Sequence, residues 1–256
     1  MRIDRNQKTL EEGYSMNHHE AEFSQYLERG IVDEVGGMIA TGKEASVWFA
    51  VSHGRRLAIK LYKNSSHRSF KNRSDYFMQT IAPHRREARA IKNGTYFGRR
   101  LEECLWHSRE VRMLRLLRSA GADVPEVLAV GERSFVMEYY ETDGKAAPRL
   151  SDLRSKLLYR DRILERILWN MKVFLENGVV HADLSPYNIL HPSPERIVII
   201  DFPQAVELKM SDRTIELLKR DIHNVAAFFR RRGSNCEEEK IFNMLVDEKD
   251  EEYYRI

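Results

Sequence analysis

Residues 181–188 read His-Ala-Asp-Leu-Ser-Pro-Tyr-Asn, and residues 199–201 read Ile-Ile-Asp. Phosphoryl transfer from a metal-nucleotide complex needs an aspartate that accepts the proton of the attacking hydroxyl, together with an Asn and a second Asp that hold Mg²⁺ against the phosphates. Asp183, Asn188 and Asp201 have these residue types in this order. We therefore predict that Asp183 is catalytic and that Asn188 and Asp201 are metal ligands.

The residues around these three side chains predict a hairpin. The apolar run 197–200 is typical of a buried strand that ends at Asp201, and residues 188–190 begin a partner strand. Both predicted metal ligands would then flank one hairpin, and His181 would brace the loop before it. An alternative is that Asp183 and Asp201 only cap a turn and end a strand. Three polar groups at this spacing favour the catalytic interpretation.

Residues 37–44, Gly-Met-Ile-Ala-Thr-Gly-Lys-Glu, nearly match the Walker phosphate-binding loop. The match fails because Glu44 replaces the hydroxyl residue that ligates Mg²⁺, and because strand-type sequence follows where that loop needs the start of a helix. A tight turn between two strands fits better. It would cover nucleotide phosphates with its backbone N–H groups and the Thr41 hydroxyl. The turn consists of Thr41, Gly42, Lys43, Glu44 and Ala45.

Four further residues complete the predicted nucleotide site. Lys60 lies on a predicted strand, from which its ammonium group could reach the α- and β-phosphates, and Glu110 on a helix is its predicted ion-pair partner. Taken alone, Lys60 would be an exposed strand residue. The backbone around Glu138 and Tyr140 ends an apolar strand, where its carbonyl and N–H groups could bind the edge of an adenine.

The pattern along the chain predicts an α+β protein with two lobes. Helices are expected at 20–28, 101–120, 150–158, 161–176 and 212–230, and strands at 46–51, 57–62, 127–130 and 134–140. The predicted domains are an N-terminal helical extension at 1–30, an N-terminal lobe at 31–143 and a C-terminal lobe at 144–256. A long basic loop is expected at about 63–100.

Composition excludes several classes of protein. The chain has 256 residues, of which 42% are hydrophobic, so it can bury a sizeable core. It has no apolar run of about 18 residues and no apolar stretch behind its first residues, so we expect no membrane segment, no secretory signal and a cytoplasmic location. Cys104 and Cys236 are far apart and have no companion ligands at zinc spacing.

The net charge of +3 is unevenly distributed. Basic residues with interleaved aromatic residues are concentrated at 63–100, and this segment could bind RNA phosphates. The alternative, a solvated loop with no RNA contact, has equal support from the sequence.

Taken in order, these motifs resemble the RIO family of atypical serine/threonine protein kinases. The resemblance is carried by the turn 41–45, Lys60, residues 137–139, residues 181–188 and Ile200-Asp201. It implies a kinase-like fold with an antiparallel sheet and a helix in the N-lobe, a reduced and mainly helical C-lobe, and ATP in the cleft between them. It also implies Mg²⁺, or alternatively Mn²⁺, as the metal, and a role in maturation of the small ribosomal subunit on rRNA.

Departures from the family pattern refine the expectation. The turn Thr-Gly-Lys-Glu-Ala resembles the first RIO subfamily, whereas Asp201-Phe202-Pro203-Gln204 resembles the second. A compact prokaryotic form of the first subfamily is favoured. Pro203 restricts its own φ angle, so a mobile activation segment of the usual kinase type is not expected. Phosphorylation targets should therefore be few, with the protein itself among them, and ATP hydrolysis would serve as a conformational switch.

Two other functions fit part of the pattern. Small-molecule phosphotransferases of the aminoglycoside and choline kinase type share the spacing H-x-D-x-x-x-x-N followed by Ile-Asp, but they usually carry a large helical lobe for the substrate. A nucleotide-dependent RNA-binding assembly factor would use the basic segment 63–100 and need no catalysis.

Overall fold

The computed structural model describes residues 19–63, 89, 93, 95–153, 159–207 and 211–246. Most of the basic segment predicted at 63–100 lies outside these residues, as do the first 18 residues. The chain divides into two compact units, one formed by Met1–Ser108 and Val127–Tyr139 and the other by Arg109–Glu126 and Tyr140–Ile256. Each unit is described by itself below.

The first unit is built on a five-stranded antiparallel sheet. Its strands are β1 (Glu34–Thr41), β2 (Ala45–Ser52), β3 (Arg55–Tyr62), β4 (Val127–Val130) and β5 (Ser134–Glu138). They lie side by side in the order β1-β2-β3-β5-β4. A two-residue turn joins β2 to β3, with φ of 50° at His53 and 76° at Gly54. A turn with positive φ at both central positions matches the right-handed twist of the two strands, so two residues are enough to join them. The hairpin is the one that the sequence predicts.

A helix, α1, is described over residues 19–28 and packs on this sheet. It ends before Gly30, whose φ of 62° stops the helix in a left-handed turn. The Tyr26 side chain is fully buried with Ile59 and Val136 of the sheet. Its hydroxyl donates to the Ser134 carbonyl at 2.9 Å, so burial in the core leaves no unsatisfied polar atom there.

The second long helix, α2 (Tyr96–Ser119), passes from the first unit into the second. The sequence predicts its start at 101, five residues too late, because the weakly patterned residues up to Gly98 are assigned to the long basic loop. The helix ends just before Gly121, which has a φ of 88°.

The second unit combines helices with short strand pairs. Its helices are α3 (Arg160–Glu176), α4 (Asp212–Arg230) and α5 (Glu238–Leu245), and its strands are β6 (Glu141–Thr142), β7 (Lys145–Ala146), β8 (Val179–Val180), β9 (Ile189–Ser193), β10 (Arg196–Ile199) and β11 (Val206–Glu207). The antiparallel pairs are β6 with β7, β8 with β11 and β9 with β10. Ser211 caps α4 by accepting a hydrogen bond from the Thr214 N–H at 3.3 Å.

One predicted helix is wrong in its described part. Residues Leu150–Asp152 form a single 3₁₀ turn, and Leu153 is already extended, with φ −75° and ψ 106°. The Asp152 side chain folds back to the Arg149 N–H at 3.3 Å, which closes the turn locally instead of propagating a helix. Residues 154–158 of the same prediction lie outside the described residues.

The C-terminal helix α5 was not predicted. It packs on α4 through an ion pair between Arg230 and Glu238 at 2.6 Å, and on α3 through the Lys172 ammonium group, which lies 3.1 Å from the Leu245 carbonyl oxygen. Over the described parts of the chain, every helix is too short or too polar to cross a bilayer.

Candidate active site

The β9–β10 hairpin brings the two predicted metal ligands to the same end of one element. Ile189 and Ile199 are paired across the hairpin, and the Ile200 N–H donates to the Asn188 carbonyl at 2.9 Å. Asn188 therefore lies just before the start of β9, beside the end of β10, after which Asp201 follows. This is the placement that the apolar run before Asp201 predicts.

Asn188 also contacts the predicted catalytic residue. Its amide nitrogen lies 2.9 Å from the Asp183 carbonyl oxygen and 3.5 Å from Asp183 Oδ2. The amide nitrogen of Asn188 therefore faces Asp183. The amide oxygen, which is the atom that a hard cation binds, points in another direction. The 3₁₀ turn Pro186–Asn188 fixes this geometry, since the Asn188 N–H donates to the Ser185 carbonyl at 2.9 Å.

His181 links the loop to the strand that carries Asp201. The Asp183 N–H donates to His181 Nδ1 at 3.3 Å, so Nδ1 is the acceptor and the proton of the neutral ring is on Nε2. Nε2 then donates to the Ile200 carbonyl at 3.1 Å. The imidazole packs against the Phe202 ring, with the ring centroids 4.5 Å apart. His181 thus ties the residues next to Asp183 and Asp201 together.

Two adjacent residues of α4 hold the peptide groups on both sides of Asp183, and sequence reasoning missed both. Asp221 Oδ2 accepts from the Ala182 N–H at 2.8 Å, and Oδ1 accepts from the Leu184 N–H at 2.9 Å. The guanidinium of Arg220 donates to the Ala182 carbonyl. Ala182 has a φ of 63°, a left-handed conformation that costs energy for a residue with a Cβ. Asp221 binds the N–H of this strained residue, and Arg220 binds its carbonyl group.

The environment of Asp221 changes its acidity. The side chain is 1% exposed. Burial raises the pKa of Asp221 from 3.8 to about 7, against the opposing effect of the two backbone N–H groups and of Arg220. A carboxyl group that titrates near neutrality therefore lies directly behind the predicted catalytic loop.

Glu110 lies in the second unit with these residues. Its Oε1 accepts a hydrogen bond from the Phe202 N–H at 3.1 Å, and the side chain is 1% exposed. Glu110 therefore contacts Phe202, the residue that follows Asp201. Asp201 itself has a left-handed φ of 72°. Sequence reasoning gave Glu110 a partner in Lys60 and did not foresee this contact with the backbone.

Lys60 is in the first unit, on β3. It is buried, paired across the sheet with Val47 and Phe135, and its ammonium nitrogen lies 5.5 Å from the centre of the Tyr62 ring. Lys60 is therefore not the exposed strand residue of the alternative interpretation. Its ion pair with Glu110 stays a prediction.

The predicted nucleotide loop is a tight turn between β1 and β2. The Gly42 N–H donates to the Ala45 carbonyl at 2.8 Å, which closes the turn, while Lys43 and Glu44 lie at its tip. The Lys63 ammonium group contacts the Thr41 hydroxyl oxygen at 2.9 Å and the Gly42 carbonyl oxygen at 2.7 Å. Sequence reasoning placed Lys63 only in the basic loop and missed these contacts.

The two predicted adenine-edge residues belong to different units. Glu138 ends β5 in the first unit, and its carboxylate lies 3.3 Å from the Arg55 guanidinium. Tyr140 begins the second stretch of the other unit, and its carbonyl accepts from the Ala147 N–H at 2.9 Å.

Comparison with known proteins identifies the family. Residues 46–241 match the family model of the RIO domain. The chain belongs to the RIO domain family. It is 31% identical over 217 residues to the serine/threonine-protein kinase rio1 of Schizosaccharomyces pombe, which covers 82% of this chain and 41% of that protein. It is 30% identical over 230 residues to the serine/threonine-protein kinase RIO3 of Caenorhabditis elegans, covering 87% of this chain and 42% of that one.

A third relative has a more similar length. The RIO-type serine/threonine-protein kinase Rio1 of Haloferax volcanii is 31% identical over 228 residues, which cover 88% of this chain and 73% of that protein. The chain therefore spans about two fifths of the first two relatives and most of the third. The α+β architecture with an antiparallel N-terminal sheet agrees with the fold that the sequence predicts for a RIO domain.

The donor set of this RIO domain fits a metal held jointly with a nucleotide. Among the described residues, no group of three or more His, Cys, Asp or Glu side chains could hold a metal ion. Asn188 and Asp201, the predicted ligands, would supply one amide and one carboxylate, which are hard oxygen donors of the kind that Mg²⁺ prefers. Two such ligands suit a metal ion whose remaining positions are filled by phosphate and water oxygens.

Proposed function

We propose that this RIO domain is an Mg-ATP-dependent serine/threonine protein kinase. In this proposal Asp183 is the catalytic base, Asn188 and Asp201 hold the metal, and Lys60 binds phosphate. The observation that carries it is the set of hydrogen bonds by which His181 and Asn188 connect Asp183 to the strand before Asp201. Positioning of this kind is the main contribution that a protein makes to phosphoryl transfer.

The chain's own groups have separate tasks in the reaction. Mg-ATP, when bound, supplies the transferable γ-phosphoryl group and the cation that neutralises its charge. The Asp183 carboxylate orients the acceptor hydroxyl and takes its proton. The Lys60 ammonium and the backbone N–H groups of the turn 41–45 bind the phosphates, and Glu110 positions Lys60. The backbone near Glu138 and Tyr140 binds the adenine edge. Mn²⁺ is proposed as an alternative metal.

The acceptor is expected to be restricted. Pro203 lies in a turn directly after Phe202 and has a fixed φ, which disfavours a mobile activation segment of the usual kinase type. We propose that the protein phosphorylates itself, or a small number of partners, and that ATP hydrolysis acts as a conformational switch.

The cellular role that we propose is maturation of the small ribosomal subunit in the cytoplasm. Its support is the family resemblance, together with the basic composition of residues 63–100, which suits contact with rRNA phosphates. Membership of the RIO family favours this role over that of an aminoglycoside-type phosphotransferase, which shares the spacing of the motifs around Asp183 and Asp201.

The test separates the acceptors. The purified chain is incubated with Mg-ATP labelled on the γ-phosphate, with three acceptors in parallel: the protein alone, small ribosomal subunit precursors, and a panel of amino alcohols and aminoglycosides. The proposal expects label on protein and release of free phosphate that increases with the ribosomal particles. Label transferred mainly to a small molecule would contradict it.

A further inference from the structure

Lys63 contacts the predicted nucleotide loop at three points. It follows the last residue of β3, and its backbone N–H donates to the Glu44 carbonyl at 2.9 Å. Its ammonium group donates to the Thr41 hydroxyl oxygen at 2.9 Å and to the Gly42 carbonyl oxygen at 2.7 Å. The end of β3 is thereby bound to both sides of the β1–β2 turn.

The contact with Gly42 determines the direction of the next amide. The peptide bond is planar and trans, so the carbonyl of Gly42 and the N–H of Lys43 point in opposite directions. Because the Gly42 carbonyl is directed toward the Lys63 ammonium group, the Lys43 N–H is directed away from it. The turn is thus held with an amide hydrogen on the face opposite Lys63.

The contact with Thr41 has a similar effect on the hydroxyl group. A threonine hydroxyl has one hydrogen to donate and two lone pairs that accept. Since the Lys63 ammonium donates to Thr41 Oγ1, the hydroxyl hydrogen stays available to donate to another acceptor. One lysine therefore orients two of the donors that the nucleotide loop would offer a phosphate.

We propose that Lys63 is a positioning residue that orients the Lys43 N–H and the Thr41 hydroxyl toward the phosphates of the bound nucleotide. This inference rests on the proposed ATP-dependent function. Lys63 acts through the turn and not on the phosphates, which distinguishes it from Lys60. It should therefore affect the affinity for phosphorylated nucleotides and leave the chemical step nearly unchanged.

The experiment compares Lys63→Met, Lys63→Arg and the control Lys240→Met with the wild-type chain. Lys240 is an exposed helix lysine paired with Glu237 at 2.8 Å, so its variant removes a charge far along the sequence from the turn. Dissociation constants are measured for ADP, ATP and adenosine, and kcat and KM for ATP are measured by phosphate release. Thermal unfolding checks that each variant is folded.

The inference expects the dissociation constants of ADP and ATP, and the KM for ATP, to rise about tenfold in Lys63→Met, the size of one lost charge-assisted hydrogen bond. Adenosine binding and kcat should stay within about twofold. Lys63→Arg should restore most of the affinity, because it keeps the charge and the donors. Wild-type affinity in a folded Lys63→Met variant would overturn the inference.

A double-mutant cycle tests whether Lys63 acts through Thr41. If it does, combining Lys63→Met with Thr41→Val should weaken ATP binding by less than the product of the two single effects. Fully multiplicative effects would instead indicate independent contacts with the phosphates and would overturn the positioning role. If the wild-type chain binds no ATP, the proposed function itself is contradicted. If the wild-type chain binds ATP and the Lys63→Met variant binds it equally well, only the role of Lys63 is contradicted.

Discussion

The Asp221 carboxylate lies 2.8 Å from the backbone nitrogen of Ala182, a residue held at a φ of 63°. The same carboxylate accepts from the Leu184 N–H, so it supports the peptide groups on both sides of Asp183. A side chain on α4 thus determines the shape of a loop 37 to 39 residues earlier in the chain.

Replacing Asp221 with Asn should destabilise the protein and slow phosphoryl transfer. Asparagine has a single side-chain oxygen, so one of the two buried N–H groups loses its acceptor and faces another donor. An unsatisfied buried donor costs about 1–3 kcal/mol of unfolding free energy. Urea unfolding measures this loss, with Glu216→Gln on the same helix as the control. Equal stability of Asp221→Asn and the control would show that the carboxylate does not support the loop.

The stability of the wild type should depend on pH through Asp221. Because burial raises the pKa of this group from 3.8 to about 7, the folded state keeps a proton that the unfolded state releases at lower pH. Its contribution to stability is therefore complete below the unfolded pKa and is lost as pH rises through about 7. Urea unfolding at pH 4.5, 6 and 8, values chosen to bracket this range, should show this decrease in the wild type. The decrease should be smaller in Asp221→Asn, and parallel pH profiles would contradict the assignment.

Arg220 should affect catalysis more than nucleotide binding. Its guanidinium donates to the Ala182 carbonyl and helps to orient the loop that carries Asp183. We expect Arg220→Gln to lower kcat about three- to tenfold, equivalent to the loss of one hydrogen bond, with little change in the KM for ATP. Arg213→Gln on the same helix is the matched control. A change confined to KM would place Arg220 in nucleotide binding instead.

Asn170 should be important for the stability of the second unit. This fully buried side chain accepts from the Asp123 N–H at 2.7 Å and donates to the Asp123 carboxylate at 2.8 Å. Asn170→Ala removes the acceptor of the Asp123 N–H, while the Asp123 carboxylate keeps its hydrogen bonds from Arg166. We therefore expect a loss of about 1–3 kcal/mol in unfolding free energy, the cost of one unsatisfied donor. Asn177→Ala, near the end of the same helix, removes a single bond to the Val173 carbonyl and should cost less. Equal effects of the two changes would contradict this account.

Local patterns were sufficient to predict the elements that position the candidate site. Alternating and β-branched residues identify the β2–β3 hairpin, the apolar run before Asp201 identifies β10, and a polar cap with an amphipathic repeat identifies α4. Each of these signals lies within one helix, one strand or one hairpin, so the local sequence contains it in full.

The sequence could not reveal contacts made across long chain separations. Asp221 and Arg220 look like ordinary polar residues of an amphipathic helix, and only the fold brings them to Ala182. The pair β8–β11 consists of strands too short to show a period, and α5 begins in an acidic run that resembles a solvated tail. The contacts of Lys63 were missed for a related reason, since they depend on the neighbouring strand pair rather than on its own segment.

We propose that Asp183 carries out the chemistry at a site that binds Mg-ATP through other residues. The most direct test measures ATP binding and transfer of labelled γ-phosphate in wild type, Asp183→Asn and Asp201→Asn. We predict that Asp183→Asn binds ATP within about threefold of wild type while its transfer rate falls at least about a hundredfold, as for removal of a general base. Asp201→Asn should lose the dependence of ATP binding on Mg²⁺. Wild-type transfer by a folded Asp183→Asn variant would contradict the account.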